Sequence, residues 1–222
     1  MFTVAQIWQA RILAVGVLAL WFALIFAGNS IGVFQTRPDE GPLNLLLAAL
    51  APIAVFAVSY AGLAGFRRFV LSLDLRLITI FQSWRVLGAG LLFLYAYNVL
   101  PGIFALPAGW GDVAIGVAAP FYAMALISGK ALPKRAFVTW NVLGIFDLVV
   151  AATLGTLAAP GPLGILAGEI TTGPLTLLPL SLIPTFLVPL FTILHLIALI
   201  QVAQKTEVRS QEPVERGVIQ AA

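Results

Sequence analysis

Three side chains in this sequence could do acid-base or ligand chemistry from inside apolar runs: Arg85, Asp147 and His195, the single histidine of the chain. A charge within a membrane span costs from a few kcal/mol upward, so an arginine persists there only when it is paired, reaches the headgroups or faces water. Asp147 is the counter-charge at hand, and an imidazole is the side chain whose ordinary titration falls nearest neutral pH. Ser181, Thr185, Thr192 and His195 follow one another at spacings of four, seven and three, which puts them on one helix face. Gln82 shares a face with Arg85, and Asn141 and Gln82 come out about a turn shallower than His195 and Arg85. The candidate substrate-binding set is therefore Gln82, Arg85, Asn141, Asp147, Thr185, Thr192 and His195. Its expected chemistry is the binding of a small polar or anionic solute, with Arg85 as the attracting charge, Asp147 released when solute arrives, and His195 linking the event to protons. Pro179, Pro184 and Pro189 should free the carbonyls of Leu175, Leu180 and Thr185 as additional ligands.

Other chemistries lack their residues. There is no cysteine, so disulfides, thiolate catalysis and iron-sulfur ligation are excluded. No glycine-rich phosphate loop, His-Glu-x-x-His zinc signature or nucleophile elbow occurs, and one imidazole makes no metal cluster. We expect no cofactor and no metal. The net charge of +3 could suggest nucleic acid, but the basic residues are dispersed over several loops, so none is expected as a partner.

The elements that must carry these residues are set by composition. Hydrophobic residues make up 61% of the chain and charged ones 9%, with a mean hydropathy of +1.04, against about 25% charged in a soluble domain. The expected fold is all-α: a polytopic transmembrane bundle of six spans at about 9–28, 43–66, 77–100, 112–128, 136–159 and 175–203, followed by a polar, disordered tail at 204–222. The first span lacks a cleavage motif and reads as an uncleaved anchor. Phe69 to Arg76 reads as an interfacial segment. Pro101 to Gly111, with two prolines and three glycines, reads as a tight loop, and Asp112 behind it as an N-cap or first-turn acid of span four.

Six spans return the chain to its starting side. That side carries ten of the twelve basic residues, the other only Arg37, and Arg85 is within the membrane. This bias places both termini in the cytoplasm. At roughly 1.5 Å per residue, Arg85 and His195 come out about 12 Å deep and Asp147 about 16 Å. The three meet at one level without that having been required. Gly144, Ala151 and Gly155 form a small-residue stripe beside Asp147, which turns it toward neighbouring helices. Trp8, Trp84 and Trp140 each open an odd-numbered span and read as an aromatic belt. Trp84-Arg85-Val86-Leu87-Gly88 and Trp140-Asn141-Val142-Leu143-Gly144 agree at four of five positions, which suggests parallel two-helix repeats. The run from Trp84 to Asp112 resembles uncharacterised bacterial membrane proteins. That resemblance attaches no activity and implies a multi-pass protein of a bacterial inner membrane.

Each feature also has a purely architectural reading. A buried ion pair can serve only to fix helix register, serines and threonines in spans often bond their own backbone, and a lone histidine is commonly a helix-helix contact. Three functions therefore stand side by side: transport of a small polar or anionic solute, a membrane-embedded enzyme acting on a lipid or quinone-like substrate, and a structural subunit of a membrane complex. The lipid bilayer is the one partner common to all three.

Overall fold

The structure is a computed structural model that describes residues 4–35, 41–128 and 133–220, with side chains for 9, 11–35, 41–128 and 133–204. Arg37 and Lys130 lie outside the described residues. The side chains of Trp8, Lys205, Arg209 and Arg216 also lie outside. Among the described residues every regular element is helical: α1 (Val4–Ser30), α2 (Leu43–Gly62), α3 (Ala64–Ser72), α4 (Leu75–Phe81), a 3-10 segment (Gln82–Gly88), α5 (Ala89–Ala96), α6 (Gly102–Ile127), α7 (Lys134–Leu157), a 3-10 turn (Gly173–Thr176), a π-helical turn (Ile183–Leu187) and α8 (Val188–Gln220). Among the described residues six stretches are long and apolar enough to cross a bilayer: Arg11–Ser30, Leu43–Gly62, Leu75–Ala96, Gly102–Ile127, Lys134–Leu157 and Ile183–Gln204. The protein is thus an all-α bundle of multi-pass membrane type.

Several boundaries differ from the expected ones, each for a local reason. Span two ends at Gly62 because Leu63 takes up an extended conformation, and Arg67 folds back to bond the carbonyls of Tyr60 and Ala61 at 3.2 and 2.8 Å. The amphipathic segment is therefore Ala64–Ser72, not Phe69 to Arg76, and the Asp74 side chain caps α4 by accepting from the Arg76 amide. Span four starts at Gly102. The stretch expected as a loop is the first part of α6, with Pro101 as its N-cap residue and Pro107 inside the helix. Span six starts at Ile183 rather than 175, so Leu175 and Pro179 precede it. Beyond the span α8 continues to Gln220, so helix occupies the segment expected as a disordered tail; its Gln, Lys, Glu and Arg residues are good helix formers.

The core lies among α4, the 3-10 segment, α6, α7 and α8. Small residues on one face of α6 (Ala105, Ala108, Gly109, Gly116, Ala119 and Ala123) are buried and let neighbouring backbones come close. Phe137 and Trp140 of α7 pack with Ile115, Ala119, Ile197 and Ala198. Trp140 is only 5% exposed, with its indole N–H donating to the Ile115 carbonyl, so it is a core residue and not part of a belt; Trp84, 61% exposed, faces outward as expected. The matched pentapeptides therefore differ in conformation, 3-10 around Trp84 and α around Trp140. Helix α1 is peripheral. It touches the bundle through Trp21 and Phe22 against Phe186 and through Asn29 to Thr185.

Candidate functional site

Span three carries Arg85 on a seven-residue 3-10 segment, longer than such segments usually run. Three residues per turn superpose positions i and i+3. Gln82 and Arg85 accordingly stack toward the interior, 1% and 2% exposed, with half-buried Gly88 next in the row, while Trp84, Val86 and Leu87 face out. An α-helix would rotate this row away by about 60° per step of three. The altered winding thus keeps the arginine aimed at α6, α7 and α8.

Four groups receive it. Arg85 Nε donates to Asp112 Oδ1 at 2.7 Å, one Nη2 hydrogen goes to Asp147 Oδ2, and Nη1 donates to the Gly144 carbonyl and lies 3.1 Å from His195 Nε2. A guanidinium has five N–H donors and no acceptor. His195 Nε2 must therefore accept, which puts the imidazole proton on Nδ1, where it donates to Asn141 Oδ1 at 2.9 Å. Asn141 in turn donates through Nδ2 to the Phe137 carbonyl. The imidazole is further held edge-on to Trp140 at 5.5 Å between ring centroids.

Glycines make the fit possible. A methyl group on Gly111 would fall on the Asp147 carboxyl, one on Gly144 on the His195 ring, and one on Gly116 within 2.6 Å of the Val86 amide nitrogen. Each of these side chains or backbones occupies space that only a missing Cβ leaves.

Of the expected residues, the fold brings Arg85, Asp147, His195 and Asn141 into one hydrogen-bonded cluster. It does not bring in the other three. Gln82 donates to the Phe191 carbonyl at 3.3 Å, leaving its Oε1 buried without a partner. Thr192 and Thr185 donate to their own helix carbonyls, Val188 and Ser181, and Thr185 also accepts from Asn29. Asp112 joins instead. It is no N-cap but lies ten residues into α6, since Pro101 starts that helix earlier than the glycines suggested. One signal was available in the sequence: continued backward through Pro107, the small-residue row Ala105, Ala108, Asp112, Gly116, Ala119 and Ala123 keeps helical spacing and contains the carboxylate.

Asp112 changes the electrostatics. One guanidinium faces two carboxylates, a formal charge of −1 when both are ionised. Arg85 has its side chain fully buried and four of its five donors engaged, so it is not the free positive charge an anionic solute would need. The carboxyls retain capacity: each has one oxygen in a hydrogen bond, and the Asp112 and Asp147 side chains are 19% and 13% exposed. No group of three or more His, Cys, Asp and Glu suited to a metal occurs among the described residues.

Asp112 also lines a cleft between α2 and α7, floored by α6 and the π-helical turn. Leu46 and Ala49 of α2, Ala108 of α6, Ala151 of α7 and Pro184 of the turn make its wall apolar. Toward the end near Pro42, the hydroxyls of Thr156, Thr172 and Thr176 all donate to backbone carbonyls. Asp112 is the sole charged residue of the lining.

Comparison with curated proteins and with solved structures gave no match. A match to a family profile covers residues 41–203, which takes in α2 through the membrane part of α8 and every residue of the cluster, and starts after the peripheral α1. The chain belongs to the family described as Domain of unknown function (DUF8737).

Proposed function

We propose that this protein is a proton-linked membrane carrier for a small polar or cationic solute, with Arg85, Asp112 and Asp147 as its binding centre and the neutral His195–Asn141 pair holding the arginine in place. One observation carries this reading: a fully buried guanidinium shared by two partly exposed carboxylates, one of which, Asp112, lines an accessible cleft. An acid-rich centre has one negative charge to be answered by a proton or by a cation. Exchange of the two follows, since either neutralises the cluster and both together give it a net positive charge in a medium where charge is expensive. The ten-to-one distribution of basic residues supports termini in the cytoplasm.

The test is infrared difference spectroscopy of the reconstituted protein through a pH titration, followed by solute-driven proton movement in liposomes containing a trapped pH dye. The reading expects a carboxylic-acid carbonyl band that is lost in Asp112→Asn or Asp147→Asn, and dye responses to some members of a panel of neutral and cationic solutes. Absence of any titrating carboxyl band in the folded wild type would refute it. The apolar cleft wall also favours a second reading, an enzyme acting on a lipophilic substrate, which would consume that substrate without solute flux.

A further inference from the structure

The cleft and the cluster together specify a ligand more narrowly than charge alone does. The cleft wall is apolar over α2, α6 and α7, with Phe104 in it, and the hydroxyls of its Thr156, Thr172 and Thr176 are already committed to carbonyls. Its lining holds one carboxylate, Asp112, whose Oδ1 is held by Arg85 and whose Oδ2, near Gly88, makes no hydrogen bond among the described residues. The groups facing Asp112 are all accounted for. Arg85 comes from the 3-10 segment, Asp147 from α7 and, behind Arg85, neutral His195 from α8; α2 and α5 contribute Leu45, Leu46, Ala49 and Leu91. Access is from the side: Ala152 of the lining is exposed, where α2 leans on α8 and the π-helical turn rather than on α7.

We propose that the cleft binds a lipophilic monocation, a primary or secondary ammonium on an apolar body, with the ammonium donating to Asp112 and the body lying between α2 and α7. This names the solute class of the carrier reading above and rests on it. Charge complementarity selects the occupant. A neutral molecule of the same shape leaves the cluster at −1, an anion makes it worse, and an ammonium brings it to zero with a charge-assisted hydrogen bond. A proton on the free oxygen of Asp112 removes the charge and turns that oxygen into a donor facing the ammonium, so acid should expel the ligand.

The experiment uses the full chain in nanodiscs with tritiated 2-phenylethylammonium as probe and 2-phenylethanol as the uncharged competitor. The proposal expects saturable binding, weakened at acid pH and not competed by the alcohol. Asp112→Asn should lower affinity about tenfold or more. Ala151→Phe fills the cleft while leaving every charged side chain of the cluster in place and should also abolish binding, which keeps the test decisive if Asp112→Asn folds poorly. Exposed Thr153→Ala should bind as wild type. Equal competition by the alcohol, unchanged binding in Ala151→Phe, or no saturable binding by folded wild type would overturn the proposal. If binding is absent while the carboxyl band still titrates, the ligand class is wrong and the carrier reading stands. If the band is absent as well, both fall.

Discussion

Arg85 is the member of the cluster whose removal should cost most, and the structure fixes the order of the effects. Arg85→Gln leaves two carboxylates facing each other, raises the formal charge of the site from −1 to −2, and strips partners from the Gly144 carbonyl and His195 Nε2. Breaking a buried pair by removing one partner costs about 3–5 kcal/mol, and the fully buried guanidinium belongs in that range. Asp147→Asn and Asp112→Asn act differently. Each takes the site from −1 to neutral, leaves the arginine one carboxylate, and supplies an amide oxygen that still accepts from it. Their side chains are also less completely buried than the guanidinium, and each should cost about 1–2 kcal/mol. The double variant Arg85→Gln/Asp147→Asn should then lie well above the sum of its parts, recovering about 1–2 kcal/mol as a coupling energy. The assay is equilibrium unfolding in mixed detergent micelles, followed by tryptophan fluorescence. Strict additivity in the double variant, or an aspartate variant as damaging as Arg85→Gln, would refute the account of one guanidinium serving two acids.

Three further outcomes follow from the same geometry. Gly144→Ala should destabilise by about 1–3 kcal/mol, because its methyl group meets the His195 ring, whereas Gly90→Ala in α5, with open space around it, should be neutral or stabilising by up to about 1 kcal/mol; micelle unfolding compares the two directly. His195→Gln should fold and keep the pH dependence of the carboxyl band, since an amide can accept from Arg85 and donate to Asn141 as the neutral imidazole does; a flattened profile would show that His195 itself carries the proton. Reporter fusions at Glu169 should read outside and at Lys134 or Gln211 inside, and an inside signal at Glu169 would overturn the six-crossing topology.

Composition and hydropathy alone determined the membrane class and the count of six spans, because the bilayer thickness acts as a ruler that any apolar run must match; counting residues along those spans also led to Arg85, Asp147 and His195 as neighbours, which the fold joins around the guanidinium. Asn141 was legible by the same count, lying six residues before Asp147 on one α-helix. What sequence reasoning could not decide was how local breakers would behave. Pro107 and three glycines read as a loop, yet α6 runs through them, because packing against the 3-10 segment demands small residues and proline removes only one backbone bond. That decision moved Asp112 from a helix end into the body of a membrane-length helix and gave Arg85 its second acid. The 3-10 winding around Arg85 was likewise beyond sequence reading, as no propensity distinguishes it from α-helix there; the tertiary contacts to α6 select it. The tryptophans show the same limit. Trp84 and Trp140 sit in nearly identical pentapeptides, and only the neighbours each helix meets place one toward lipid and the other in the core. Local sequence fixes which side chains can pair at a given depth, whereas the close approach of helices, set by where Cβ atoms are missing, decides which of them do.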